Sequence, residues 1–248
     1  MDGRAIFLDR PRQNRQTARM NLPTALPTII FDLDGTLAET APDIIGTLNV
    51  ILAQEGLAPL PVSKARELVG AGARALIERG FKVYGRPLSP ERLEELFQMF
   101  LEIYAGRVAD DSHLYDGVLA SLDALAGAGH KLAVCTNKPE RHSLLLLDAL
   151  GVRNRFAAIS GRDTFPFFKP DARHLTLTIE AAGGDPRRAI MVGDSRTDID
   201  TARNAGLPVI CVPFGYTDVP IETLKPDLVI GHFDQLEAAI ATVSKAMA

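Results

Sequence analysis

The chain has 248 residues, 46% of them hydrophobic, enough for one large domain or a core domain carrying a smaller insertion. Its 27 Lys and Arg against 31 Asp and Glu give a formal charge of −4, which excludes the broad cationic field that nucleic acids or anionic membranes require. No apolar run approaches the length of a bilayer span.

Residues 1–27 carry Arg4, Arg10, Arg12, Arg15 and Arg19 but only Asp2 and Asp9 as acids, and lack the continuous apolar segment of a secretory leader. They are expected to be a disordered N-terminal extension, and translation from Met20 would leave everything downstream intact. The first core strand is expected at 28–31 (TIIF). A helix follows at 41–55, with Ile44, Ile45, Leu48, Ile51 and Leu52 on one face. Further helices are expected at 73–82 and 89–107. The second opens on Ser-Pro-Glu and spaces Leu93, Leu96, Phe97, Phe100 and Tyr104 helically, a pattern that core packing explains.

From Asp116 the pattern alternates. Helices are expected at 116–128, 139–150, 171–182, 197–205 and 235–246, and strands at 131–135, 157–160, 190–192, 209–212 and 228–230. Such βα repetition implies an α/β fold, a Rossmann-like parallel sheet covered by helices. Cys135 and Cys211 fall in expected buried strands without metal-ligand spacing, which fits a reducing, cytoplasmic setting better than a disulfide framework. His113, His130, His142, His174 and His232 also lack metal-like spacing and read as surface or core residues.

Spacing exposes an insertion. Asp32 and Thr136, each at the end of an expected strand, are 104 residues apart, whereas a βαβ unit needs roughly 30. The surplus predicts a helical cap domain at 40–115, inserted after the first strand into a core made of 28–39 and 116–248.

Ligands in open α/β sheets bind beyond the carboxyl ends of the strands. Four groups occupy such positions: Asp32 and Asp34; Thr136, Asn137 and Lys138; Lys169 and Pro170; Gly193, Asp194, Ser195 and Asp198. Residues i and i+2 of an extended segment share a face, so Asp32 and Asp34 can address one substrate, although an Asp-Gly turn at a strand end explains the same letters. Two acids, a hydroxyl, a lysine and a further acidic pair suit a Mg²⁺-bound phosphate.

The ordered set Asp32-x-Asp34-Gly-Thr, Thr136, Lys169 and Gly193-Asp194-xxx-Asp198 resembles the four motifs of the haloacid dehalogenase superfamily over residues 28 to about 230. The resemblance implies that Asp32 is a nucleophile forming an aspartyl-phosphate and Asp34 the general acid and base. It further implies that Asp32, the Asp34 carbonyl and Asp194 hold Mg²⁺, and that Asp198 supports that shell or orients Lys169. Thr136 and Asn137 would contact phosphate oxygens, and Lys169 would balance charge. Haloacid dehalogenases themselves lack the acid equivalent to Asp34, so a phosphate ester is the expected substrate.

Within the superfamily the chain is similar to the phosphoglycolate phosphatases in residues 31–37, 41–43, 69–73, 136–139 and 193–199, with Gly215 and Tyr216 a weaker match. Glu39, Asp116 and Ala172 depart from that pattern without removing a catalytic group. The expected reaction is hydrolysis of 2-phosphoglycolate. Alternatives are another small-ester phosphatase, including one for an amino-sugar phosphate, a sugar-phosphate mutase, and more remotely a non-catalytic binding module. The run 70–75 formally fits a dinucleotide fingerprint but lacks a preceding strand. It reads instead as a turn whose following amides at Gly72 and Ala73, with Arg74, could receive a small carboxylate, or as a plain turn between packed helices.

Overall fold

A computed structural model describes residues 26–62, 72–217 and 219–246; the expectations for 1–25, for Met20 and for 69–71 lie outside them. Six strands, β1 (Thr28–Phe31), β4 (Leu132–Cys135), β5 (Ala158–Ser160), β6 (Ala189–Gly193), β7 (Val209–Cys211) and β8 (Leu228–Val229), form a sheet in the order β5-β4-β1-β6-β7-β8. Every pairing in it is parallel. Two-residue strands β2 (Ala38–Glu39) and β3 (His113–Leu114), which apolar periodicity does not reveal, pair antiparallel as a separate ribbon.

Alternation along the strands divides the core between the two sheet faces. Ile29, Phe31, Val134 and Val192 point to the face covered by α4 (Val118–Gly127), α5 (Glu140–Ala149) and α8 (Leu236–Ala246). Ile30, Ala133 and Met191 point to the other, packed by α6 (Ala172–Ala181) and α7 (Arg196–Asn204). Both faces are buried, as the nearly unbroken apolar strands require.

Between β2 and β3 lie α1 (Ala41–Gln54), α2 (Ala73–Val83) and α3 (Pro90–Ala105). Helix α1 buries Ile44, Ile45, Leu48, Ile51 and Leu52, as its spacing requires, against Leu76, Ile77 and Phe81 of α2 and Leu96, Phe97 and Phe100 of α3. Pro90 stands in the first turn of α3, where its missing N–H costs nothing, and Ser89 caps that helix by accepting the Arg92 N–H at 3.2 Å. Asp43, fully buried near the start of α1, accepts the backbone N–H groups of Asp111 and Ser112 and the Ser112 hydroxyl. One carboxylate thereby ties the chain leaving α3 to the chain beginning α1. No described helix is long and apolar enough to cross a membrane.

Candidate functional site

Strand register assembles the site. Phe31 on central β1 is level with Val134 of β4 and Val192 of β6, so the residues just beyond them, Asp32, Thr136 and Asp194, emerge side by side at one sheet edge. The Asp32 N–H continues the ladder by donating to the Val192 carbonyl at 2.9 Å. Lys169 comes from the segment between β5 and α6 and is almost wholly buried. Its Nζ lies 2.9 Å from Asp32 Oδ1 and 2.6 Å from Asp198 Oδ1. Asp198 stands three residues beyond Ser195 because the two form the capping box of α7: its Oδ2 accepts the Ser195 N–H at 3.1 Å and the Ser195 hydroxyl at 2.6 Å. The same spacing thus starts a helix and fixes a lysine.

Asp194 Oδ1 accepts the Thr36 hydroxyl at 2.8 Å, and Oδ2 the Tyr216 N–H at 2.6 Å. Two glycines make room for it. A Cβ on Gly215 would fall 2.2 Å from Asp194 Oδ2, and one on Gly35, whose φ is +83°, would fall 2.6 Å from the same atom.

Burial dominates the electrostatics. It pushes the Asp32 carboxyl up to about 6, with Lys169 opposing and Asp198 adding to the rise. It also drives Asp194 well above the usual carboxylate range, helped by Asp198 and Asp32. Lys169 remains a cation: its own burial disfavours charge, but Asp198 and Asp32 raise it overall.

The donor set fits a hard divalent cation. Oxygens of Asp32, Asp194 and Asp198 lie within 4.8 Å of one another, and carboxylate oxygens are the hard donors such an ion takes. Asp32 Oδ1 is buried with the Lys169 ammonium, 2.9 Å away, as its one partner among the described residues, which leaves it a lone pair for a metal. Asp198 is the least available of the three, since Lys169, Ser195 and the Asp194 N–H already occupy its oxygens.

Between the sheet edge and α1, α2 and α3 lies a cavity of about 110 Å³. Asp32, Asp34, Thr136, Asn137 and Asp194 line its floor; Ile44, Leu76, Phe100 and Tyr104 line its roof. Asn137 Nδ2 donates to the Lys169 carbonyl at 3.0 Å, while its buried Oδ1 has no hydrogen-bond partner. Gly72, with φ +87°, and Ala73 reach the cavity at the start of α2. Arg74 does not. Its guanidinium pairs with Glu94 at 2.9 Å and stacks 3.5 Å above the Phe97 ring, because α3 offers it a carboxylate and an aromatic face on the insertion's own surface.

Sequence reasoning assigned no role to Lys138 or Tyr104. Lys138 Nζ donates to Asp34 Oδ1 and Oδ2 at 2.9 and 3.2 Å and to the Tyr104 hydroxyl at 2.8 Å. Lys138 adjoins Thr136 and Asn137 at a strand end, which was a usable signal; Tyr104 sat in an apolar helical stripe and carried none. His142, expected to be a surface or core residue, also lines the cavity, stacked 5.8 Å from Tyr104 with Nε2 2.8 Å from the Leu101 carbonyl oxygen. Cys135 and Cys211 are free and buried.

The profile of the haloacid dehalogenase-like hydrolase family matches residues 29–212. A phosphoglycolate phosphatase of Caulobacter vibrioides is 51% identical over 87% of this chain and 91% of its own length. Another, from Mesorhizobium japonicum, is 48% identical over 87% and 95%. Among solved structures, a predicted phosphoglycolate phosphatase of Haemophilus somnus superposes with a TM-score of 0.80 at 30% identity, covering 88% of this chain and 99% of that one. CbbY of Rhodobacter sphaeroides, solved in complex with phosphate, gives 0.71 at 26% identity, covering 86% and 96%.

Proposed function

Since the chain belongs to the haloacid dehalogenase-like hydrolases, we propose that it is a Mg²⁺-dependent phosphomonoester hydrolase working through an aspartyl-phosphate on Asp32, with 2-phosphoglycolate as substrate. One observation carries the reading: two carboxylates two residues apart face a single small cavity, each beside its own buried lysine, Asp32 with Lys169 and Asp34 with Lys138.

Asp32 attacks phosphorus while the bond from phosphorus to the ester oxygen breaks, and Asp34 delivers a proton to the departing glycolate oxygen. Asp34 then takes a proton from water as that water attacks the phosphoryl group, releasing phosphate and restoring Asp32. Lys169 lowers the repulsion between an anionic nucleophile and an anionic ester. Thr136 and Asn137 contact phosphoryl oxygens, Asn137 through the Nδ2 hydrogen that it does not give to the Lys169 carbonyl. Mg²⁺, held by Asp32, the Asp34 carbonyl and Asp194, would neutralise charge on the phosphoryl oxygens.

Helices α1 to α3 act as the cap, and the first amides of α2, at Gly72 and Ala73, receive the substrate carboxylate. Localisation in the cytoplasm accords with two buried free cysteines. The decisive experiment is phosphate release with Mg²⁺ from a panel containing phosphoglycolate, glycerol 3-phosphate, glucosamine 6-phosphate and glucose 1-phosphate. Phosphoglycolate is expected to lead; release from a sugar phosphate but not from phosphoglycolate would overturn the substrate, and release from none the reaction.

A further inference from the structure

Tyr104 stands on α3, in the insertion, yet its hydroxyl reaches the sheet edge. The Lys138 ammonium, 4% exposed, has two directed side-chain partners on opposite sides of that junction: Asp34 on the core and Tyr104 on the insertion. A buried ammonium needs both, because its own desolvation is costly unless hydrogen bonds replace water. The phenol remains neutral, since burial pushes it up to about 12. The ring is held in turn, stacked between Phe100 and His142 at 5.8 Å from each, and His142 fastens α5 to the Leu101 carbonyl of α3.

We propose that Tyr104 is a positioning residue: through Lys138 it fixes the Asp34 carboxylate in its working orientation from across the junction between insertion and core. The proposal rests on Asp34 being the general acid and base. Without the phenol, Lys138 is a flexible four-carbon stem with one partner, and Asp34, 21% exposed, can turn toward water.

The test is Tyr104→Phe, which keeps the stacked ring and removes the hydroxyl, measured by rapid-quench formation of phosphoenzyme with Mg²⁺. Two esters of similar size are compared: phosphoglycolate, whose alkoxide needs a proton to leave, and acetyl phosphate, whose carboxylate does not. Expected is slowing by about ten-fold or more on phosphoglycolate and within about two-fold on acetyl phosphate, with little change in apparent substrate affinity. In a double mutant with Lys138→Met, the Tyr104 change should add nothing to the Lys138 effect. Equal slowing on both esters, an effect on affinity alone, or additive losses would overturn the positioning role. Should Lys138→Met not fold, the two-ester comparison decides by itself. Wild-type protein forming no phosphoenzyme from either ester would instead bring down the assignment of Asp32 and Asp34, and the proposal with it.

Discussion

On the proposed mechanism Asp32 is the reacting group, and in the fold it is an electrostatic burden. Its folded-state value of about 6 lies above the ordinary 3.8, so the fold prefers the protonated form: that contribution is complete below about 3.8 and is lost as pH rises through about 6. Asp32→Asn mimics the protonated form. In metal-free buffer at neutral pH it is expected to melt several degrees above wild type, by roughly 2–3 kcal/mol, with the gap closing as pH falls through 6. Mg²⁺ should reverse the order by stabilising only the wild type, and phosphate release by the variant should vanish. Calorimetry across pH checks this; a variant less stable than wild type in metal-free neutral buffer would contradict it. Asp34→Asn separates the steps differently, since phosphoenzyme should still form from acetyl phosphate yet fall by about two decades or more from phosphoglycolate. Equal losses on the two esters would reject Asp34 as the acid. Asp32, Asp34, Lys169, Asp194 and Asp198 could be read from sequence as polar residues collecting where apolar strands end. Tyr104 could not, because a phenol that reaches Lys138 across the junction occupies the same helical spacing as one that merely packs.

At the level of elements, the parallel sheet and its covering helices follow from alternating apolar runs, and the expected boundaries agree with the observed ones to within a few residues. The β2–β3 ribbon was not legible: two residues per strand are too few to show a period, and their pairing is set by the chain returning from α3. Asp43 stands in the first turn of α1, where an acid offsets the helix dipole. Its larger task is capturing the Asp111 and Ser112 amides. Asp43→Ala strands those donors, at a cost of roughly 2–4 kcal/mol, and should lower the melting temperature by roughly 5–15 °C. A shift smaller than the scatter of replicate melts would show that water replaces the carboxylate. The loop after β7 presses on Asp194 through Gly215, so Gly215→Ala should displace that acid and weaken Mg²⁺ binding by about ten-fold, read by titration calorimetry. Unchanged affinity would remove Asp194 from the metal set.

Across the whole molecule, the proposed function puts catalysis and selection on different parts of the chain. Acids and lysines belong to the sheet edge, while the cavity roof of Ile44, Leu76, Phe100 and Tyr104 belongs to the insertion. Trimming the roof by Leu76→Ala should therefore relax selectivity, raising kcat/KM for three-carbon esters relative to phosphoglycolate by several-fold, in keeping with the small free energies of a methylene or two. An unchanged ratio would place the size limit elsewhere. The ribbon of β2 and β3 carries a further consequence. Because Glu39 and His113 are direct neighbours across it, the chain departs from the sheet and comes back at one point, so everything between could be exchanged for a different helical module, or shortened to a hairpin, without re-threading a single core strand. If Tyr104 positions Asp34 as proposed, an incoming helical module would also have to bring a partner to Lys138.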